Sequence, residues 1–88
     1  MTSPKPGQIW QHYKHDPTEP NSYTYEIVAL GHDTETDQPS VIYRPLYPMP
    51  SELAEKGLTV FVRPLSNFLE EVETNGKTKS RFIKIDHS

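Results

Sequence analysis

Apolar and polar side chains alternate along much of this chain, in short runs punctuated by proline and glycine. After Gly7, "QIWQHY" over 8–13 sets Ile9, Gln11 and Tyr13 on one side and Gln8, Trp10 and His12 on the other. That two-sided pattern predicts a short strand. "YTYEIVAL" over 23–30 carries the clearest period of two, with Tyr23, Tyr25, Ile27 and Ala29 sharing a face and Gly31 expected to end the strand. "SVIYRPLY" over 40–47 is β-branched and aromatic. Its Pro45 has no N–H for a ladder, which assigns that residue to an edge, a bulge or a strand end. "LTVFVRP" over 58–64 is a further strand stopped by Pro64, and "KSRFIKI" over 79–85 closes the series.

The connections have turn chemistry of their own. "KHDPTEPNS" over 14–22 combines two prolines with Asp, Asn and Ser and predicts a loop. Positions 32–37 form a polar lip, His32-Asp33-Thr34-Glu35-Thr36-Asp37, which turns at Gln38-Pro39. "PMPSELAEKG" over 48–57 predicts one helical turn with Ser51 as N-cap and Gly57 past its end. "LSNFLEEVE" over 65–73 starts as a short helix capped by Ser66, and Asn75-Gly76 is a two-residue hairpin signal. Residues 1–6 read as a flexible terminus and 7–86 as one small domain. Five short strands with brief helical turns predict a mainly β fold, a small and strongly bent antiparallel sheet or barrel. "YRPLY" at 43–47 and "VRPLS" at 62–66 echo each other, as two strands that leave the sheet in similar ways.

Composition narrows this picture. The chain has 88 residues, of which 33% are hydrophobic, a lean supply for a core. Five Tyr, three Phe and one Trp make up for it, since each aromatic side chain buries roughly 150–250 Å². Nine prolines and a mean hydropathy of −0.74 fit generous loops around a folded domain. The absence of cysteine removes disulfide frameworks, thiolate metal sites and cysteine nucleophiles, and fits a reducing compartment. No apolar run approaches the roughly 20 residues of a membrane span, and residues 1–8 lack the apolar stretch of a signal peptide. The expectation is a soluble, cytoplasmic protein with no membrane partner. A net charge of −3 disfavours non-specific nucleic-acid binding, which depends on neutralising phosphates.

"HYK" at 12–14, "HDTET" at 32–36, "VIYRPLY" at 41–47, "VRPLSNF" at 62–68 and "RF" at 81–82 occur in that order. This ordered set resembles the bacterial family catalogued as domain of unknown function 1653, over Gly7 to about Ile85. The resemblance implies an SH3-type β-barrel or roll and no established activity. Some relatives adjoin nudix-type hydrolase domains, which implies nucleotide chemistry nearby. The chain departs from the family's pattern in a longer loop at 15–22, an expanded 48–58 and Phe61 where relatives often have Trp.

Candidate chemistry follows from residue types. His32, Thr34 and Glu35 converge if the lip is a tight turn, with His32 titrating near neutrality and Glu35 as acceptor or base. The structural alternative is that Asp33 and Thr34 satisfy turn backbone and Glu35 is solvated. Arg44, Arg63 and Arg81 each adjoin an aromatic or apolar strand residue and can clamp a carboxylate or phosphate, or stack on Tyr43, Tyr47 or Phe82. Their structural alternative is pairing of Arg63 or Arg81 with Glu35, Glu26 or Glu71. His12, His15, His32 and Glu35 are the residue types of a zinc or non-haem site, but they lack a metal-signature spacing, and neither metal nor cofactor is expected. No nucleophile elbow, glycine-rich phosphate loop or telling carboxylate pair supports an enzyme.

Three function classes remain. The first is a binding module whose polar and aromatic rim, built from His12, Lys14, His32, Thr34, Glu35, Tyr43, Arg44, Arg63 and Arg81, recognises a peptide, a partner domain or a small anionic ligand. The second is a nucleotide- or nucleic-acid-associated accessory domain using Arg44 and the basic stretch 77–84. The third is a small metal-dependent hydrolase built on His32 and Glu35.

Overall fold

The computed structural model describes residues 3–85; the outer ends of the expected terminus (1–6) and domain (7–86) lie outside the described residues. Strand β1 (Ile9–His12) is followed by the long β2 (Thr24–Asp33) and β3 (Gln38–Pro45), then a helical turn α1 (Ser51–Glu55). Strand β4 (Phe61–Pro64) runs directly into a second turn, α2 (Leu65–Phe68), and β5 (Glu71–Thr74), β6 (Lys77–Ser80) and β7 (Phe82–Ile85) complete the chain. The main sheet has five antiparallel strands in the order β4-β3-β2-β1-β7, and β5 and β6 form a separate two-stranded sheet. The fold is mainly β, as the alternation predicts.

The sheet does not close into a barrel, because its outer strands β4 and β7 are not hydrogen-bonded to each other. Side chains join them instead. The Arg63 guanidinium of β4 lies 5.3 Å from the centre of the Phe82 ring of β7. Five strands laid flat would hold these edges roughly 19 Å apart, so the sheet is strongly curled. Its concave face holds the core: Trp10, Tyr25, Ile27, Val41, Tyr43, Phe68 and Phe82. Phe68, from α2, is fully buried and stacks on Phe82 with centres 4.1 Å apart and planes 8° from parallel. This turn of helix fills the mouth of the roll, the place a closing strand pair occupies in a barrel.

Local departures from the sequence pattern have identifiable causes. A bulge at Val28 shifts the β2–β3 register between Ile27 and Ala29. The alternation flips there, so Leu30, opposite Val41, continues the face of Ile27 while Ala29 turns to the convex side with Ile42. Gly31 does not end the strand; it sits within it, where a Cβ would lie 3.2 Å from Ile42 Cδ1. Pro50 and Pro64, not Ser51 and Ser66, occupy the N-cap positions of α1 and α2, and neither helix has a side-chain cap. The segment 79–85 is divided at Arg81, whose N–H donates to Glu70 O (3.0 Å) while its carbonyl accepts from Tyr13 N–H (2.9 Å). One residue thus ties the two sheets together. Near the N-terminus, Pro4 is buried, and Gln8 Oε1 accepts the Lys5 N–H at 2.9 Å. A proline ring is apolar and brings no N–H to satisfy, which makes Pro4 cheap to bury.

Candidate functional site

The nine candidate residues separate into three groups. His32, Thr34 and Glu35 lie at the β2–β3 hairpin tip and are exposed. The tip is a self-contained turn. Asp33 Oδ1 accepts the Glu35 N–H at 2.9 Å, Asp37 N–H donates to Asp33 O at 2.7 Å, and Asp37 adopts a left-handed φ of 57°. His32 Nε2 lies 3.2 Å from Asp37 Oδ1, and both side chains are open to water. Arg44 stands apart from these on the convex face. It pairs across the ladder with Glu26, directly opposite, and donates from Nε at 2.7 Å.

His12, Lys14, Tyr43, Arg63 and Arg81 come together at one end of the concave face. His12 follows Trp10 on the inward side of β1 and stands opposite Phe82 of β7. Its ring meets Phe82 edge-on at 5.1 Å and lies 4.6 Å from Tyr13 and 5.4 Å from Tyr23. The Lys14 backbone N–H donates to His12 Nδ1 at 3.2 Å. Burial first, and then the nearby positive charges of Arg63, Lys14 and Arg81, together lower the His12 pKa to about 4. The ring is therefore neutral at pH 7. With Nδ1 occupied as an acceptor, its proton is on Nε2, which has no partner among the described residues.

Arg63 is the other half of the arrangement. The antiparallel ladder places it opposite Val41, facing inward beside Tyr43. Its Nε donates to the Tyr43 hydroxyl at 3.2 Å and its Nη1 to Asn67 Oδ1 at 2.5 Å. Both acceptors are neutral. Among the described residues the ion pairs are His32–Asp37, Arg44–Glu26 and Arg81–Glu70, so Arg63 has no acid partner. A guanidinium locked over an aromatic ring by two hydrogen bonds is preorganised, with its charge uncompensated and one nitrogen, Nη2, without a bond. Arg81 is mostly covered; its Nη2 donates to Glu70 Oε1 at 2.8 Å, and its buried Nε has no partner.

Neither Arg63 nor Arg81 takes the acids Glu35, Glu26 or Glu71 as partners. Among the described residues no three His, Asp or Glu side chains gather to hold a metal ion, and His12, His15, His32 and Glu35 are dispersed between the rim and the hairpin tip. His15 stays near His12, with its Nδ1 3.1 Å from the His12 carbonyl oxygen. Sequence reasoning missed Asn67, while it named Phe82 among the rings on which an arginine could stack. The four-residue step from Arg63 to Asn67 in "VRPLSNF" is the signal for Asn67, since the chain turns into α2 between them. No described helix is long and apolar enough to cross a membrane.

The residues that build the rim also lie within a recognisable family pattern. The model of a protein family described as "Protein of unknown function (DUF1653)" matches residues 8–84. No curated protein matches the chain, and no solved structure does. The match runs from just before β1 to Lys84 within β7 and takes in every residue of the cationic rim, so the chain belongs to the DUF1653 family.

Proposed function

We propose that this protein is a binding module that recognises an anionic group, a carboxylate or a phosphate, at the rim formed by His12 and Arg63. The observation that carries this reading is the state of Arg63. In a chain of net charge −3 it has no acid partner among the described residues, yet its position is fixed by Tyr43, Asn67 and Phe82. Holding a guanidinium in this way reduces the entropy lost when it meets an anion. His12 beside it offers a neutral N–H donor, and Lys14 and Arg81 add positive potential. The arrangement suits recognition more than chemistry, because no nucleophile or base of raised pKa stands with it.

The experiment is a backbone NMR titration with inorganic phosphate and, separately, with a short peptide rich in glutamate. Shifts should concentrate on His12, Lys14, Arg63 and Phe82 and leave the hairpin tip unmoved. Arg63→Gln, which keeps hydrogen-bonding capacity but removes the charge, should weaken either ligand by about tenfold or more. Shifts confined to the hairpin tip, or a Gln variant binding equally well, refute the reading. Phosphate alone binding points to nucleotides or nucleic acid; the acidic peptide alone points to a protein partner.

A further inference from the structure

A second surface next to this rim has a different chemistry. A groove of about 490 Å³ is lined by Glu19, Pro20, Ser22, Tyr23, Tyr47 and Pro48. We propose that this groove docks a polyproline-II segment carrying a basic residue, with proline rings held between Tyr23 and Tyr47 and the base facing Glu19.

The walls dictate that ligand. Two tyrosines and two prolines give a largely apolar slot, which suits the proline rings of a helix of three residues per turn. Tyr23 is 43% exposed and adopts a left-handed φ of 48°, a conformation bulky residues rarely accept. Burial of its own ring does not offset that strain, whereas an occupant of the groove would cover the ring. Tyr47 is set more firmly, packed against the core with its hydroxyl 3.1 Å from that of Tyr25.

Charge fixes the second half of the ligand. The loop over 15–22 contains Asp16 and Glu19 and no Lys or Arg. Asp16 Oδ1 accepts from the Thr18 N–H and hydroxyl, which lowers its pKa and keeps it ionised. Glu19 is exposed and forms no ion pair among the described residues. Of the two acids only Glu19 lines the groove; a neutral proline segment leaves it unanswered, and one ending in Arg or Lys complements it. The groove adjoins the anion site through the His12–Tyr23 ring contact, but it takes the opposite charge and its binding residues Glu19 and Tyr47 are not part of that site.

The test is calorimetric and NMR titration of the full chain with the peptide Pro-Pro-Leu-Pro-Pro-Arg, against an otherwise identical peptide with alanine for every proline and another with Glu for Arg. The proline-and-arginine peptide should bind, with its largest shifts at Ser22, Tyr23 and Tyr47, and the alanine peptide should not. Glu19→Lys, an exposed change that leaves the fold intact, should weaken the arginine peptide by about fivefold and strengthen the glutamate peptide. Equal binding of the proline and alanine peptides overturns the proposal, as does an absence of shifts in the groove. Indifference to Glu19→Lys overturns the assignment of the basic residue.

Discussion

His12 is the residue on which acidity should act. Its folded pKa of about 4 lies below the ordinary 6.5, so between those values the unfolded chain binds a proton that the folded one refuses. Stability attributable to this residue is therefore complete above pH 6.5 and falls as pH drops towards 4. The ring is partly open to water, and after discounting for solvent screening the loss is on the order of 1 kcal/mol. Urea denaturation at a series of pH values should show this slope in the native chain and a flatter profile in His12→Gln. Arg63 sits beside it with a different balance. Its cation–π contact and two hydrogen bonds stabilise the fold, so Arg63→Ala should lower stability by about 1–2 kcal/mol as well as removing the charge.

Among the elements, α2 and the β2–β3 hairpin tip make opposite predictions. Phe68 is the one residue of α2 that is buried, and it packs on Trp10, Tyr43 and Phe82 at the mouth of the roll. Phe68→Ala should cost about 3–5 kcal/mol in thermal or denaturant unfolding, a large share of what a domain this small can spare. At the hairpin tip, His32→Ala and Glu35→Ala should each change stability by less than about 0.5 kcal/mol, since both are exposed and no buried group is left unpaired. Asp33→Ala should cost more, about 1 kcal/mol, through loss of its bonds to the Glu35 and Thr36 N–H groups.

The turns and strands show what the sequence made legible. Asn75-Gly76 is a hairpin turn with both residues at positive φ, 52° and 74°, a conformation that Asn followed by Gly adopts cheaply. The strands around Trp10, Tyr25 and Tyr43 follow from local alternation for the same reason: the signal and its cause lie in neighbouring residues. The bulge at Val28 was not legible, since it depends on how Ile42 and Gly31 pack across the ladder. The short reach of α2 was not legible either, because Phe68 is drawn inward by ring partners from three different strands.

At the scale of the molecule, curling gathers what the chain separates. His12 in β1, Arg63 in β4 and Arg81 beside β7 meet at one rim because the sheet rolls until its edges touch through side chains. Sequence patterning could name these residues, since each is a polar side chain beside an aromatic or apolar one. It could not tell which of nine would assemble, because that depends on the curvature of the whole sheet and the plug of Phe68 within it. The polar lip is dense in hydrogen-bonding groups, of which Asp33 bonds to the turn backbone and His32 pairs with Asp37.

The central claim, that His12 and Arg63 form one anion-recognising rim, is tested most directly by following the His12 ring by NMR as a function of pH. Without added anion the midpoint should lie near 4. With saturating phosphate it should rise, because a bound negative charge offsets the cations around the ring, and by linkage the phosphate must bind more tightly as His12 gains its proton. A midpoint near the ordinary 6.5 in the free protein, or one that phosphate leaves unmoved, would contradict the account.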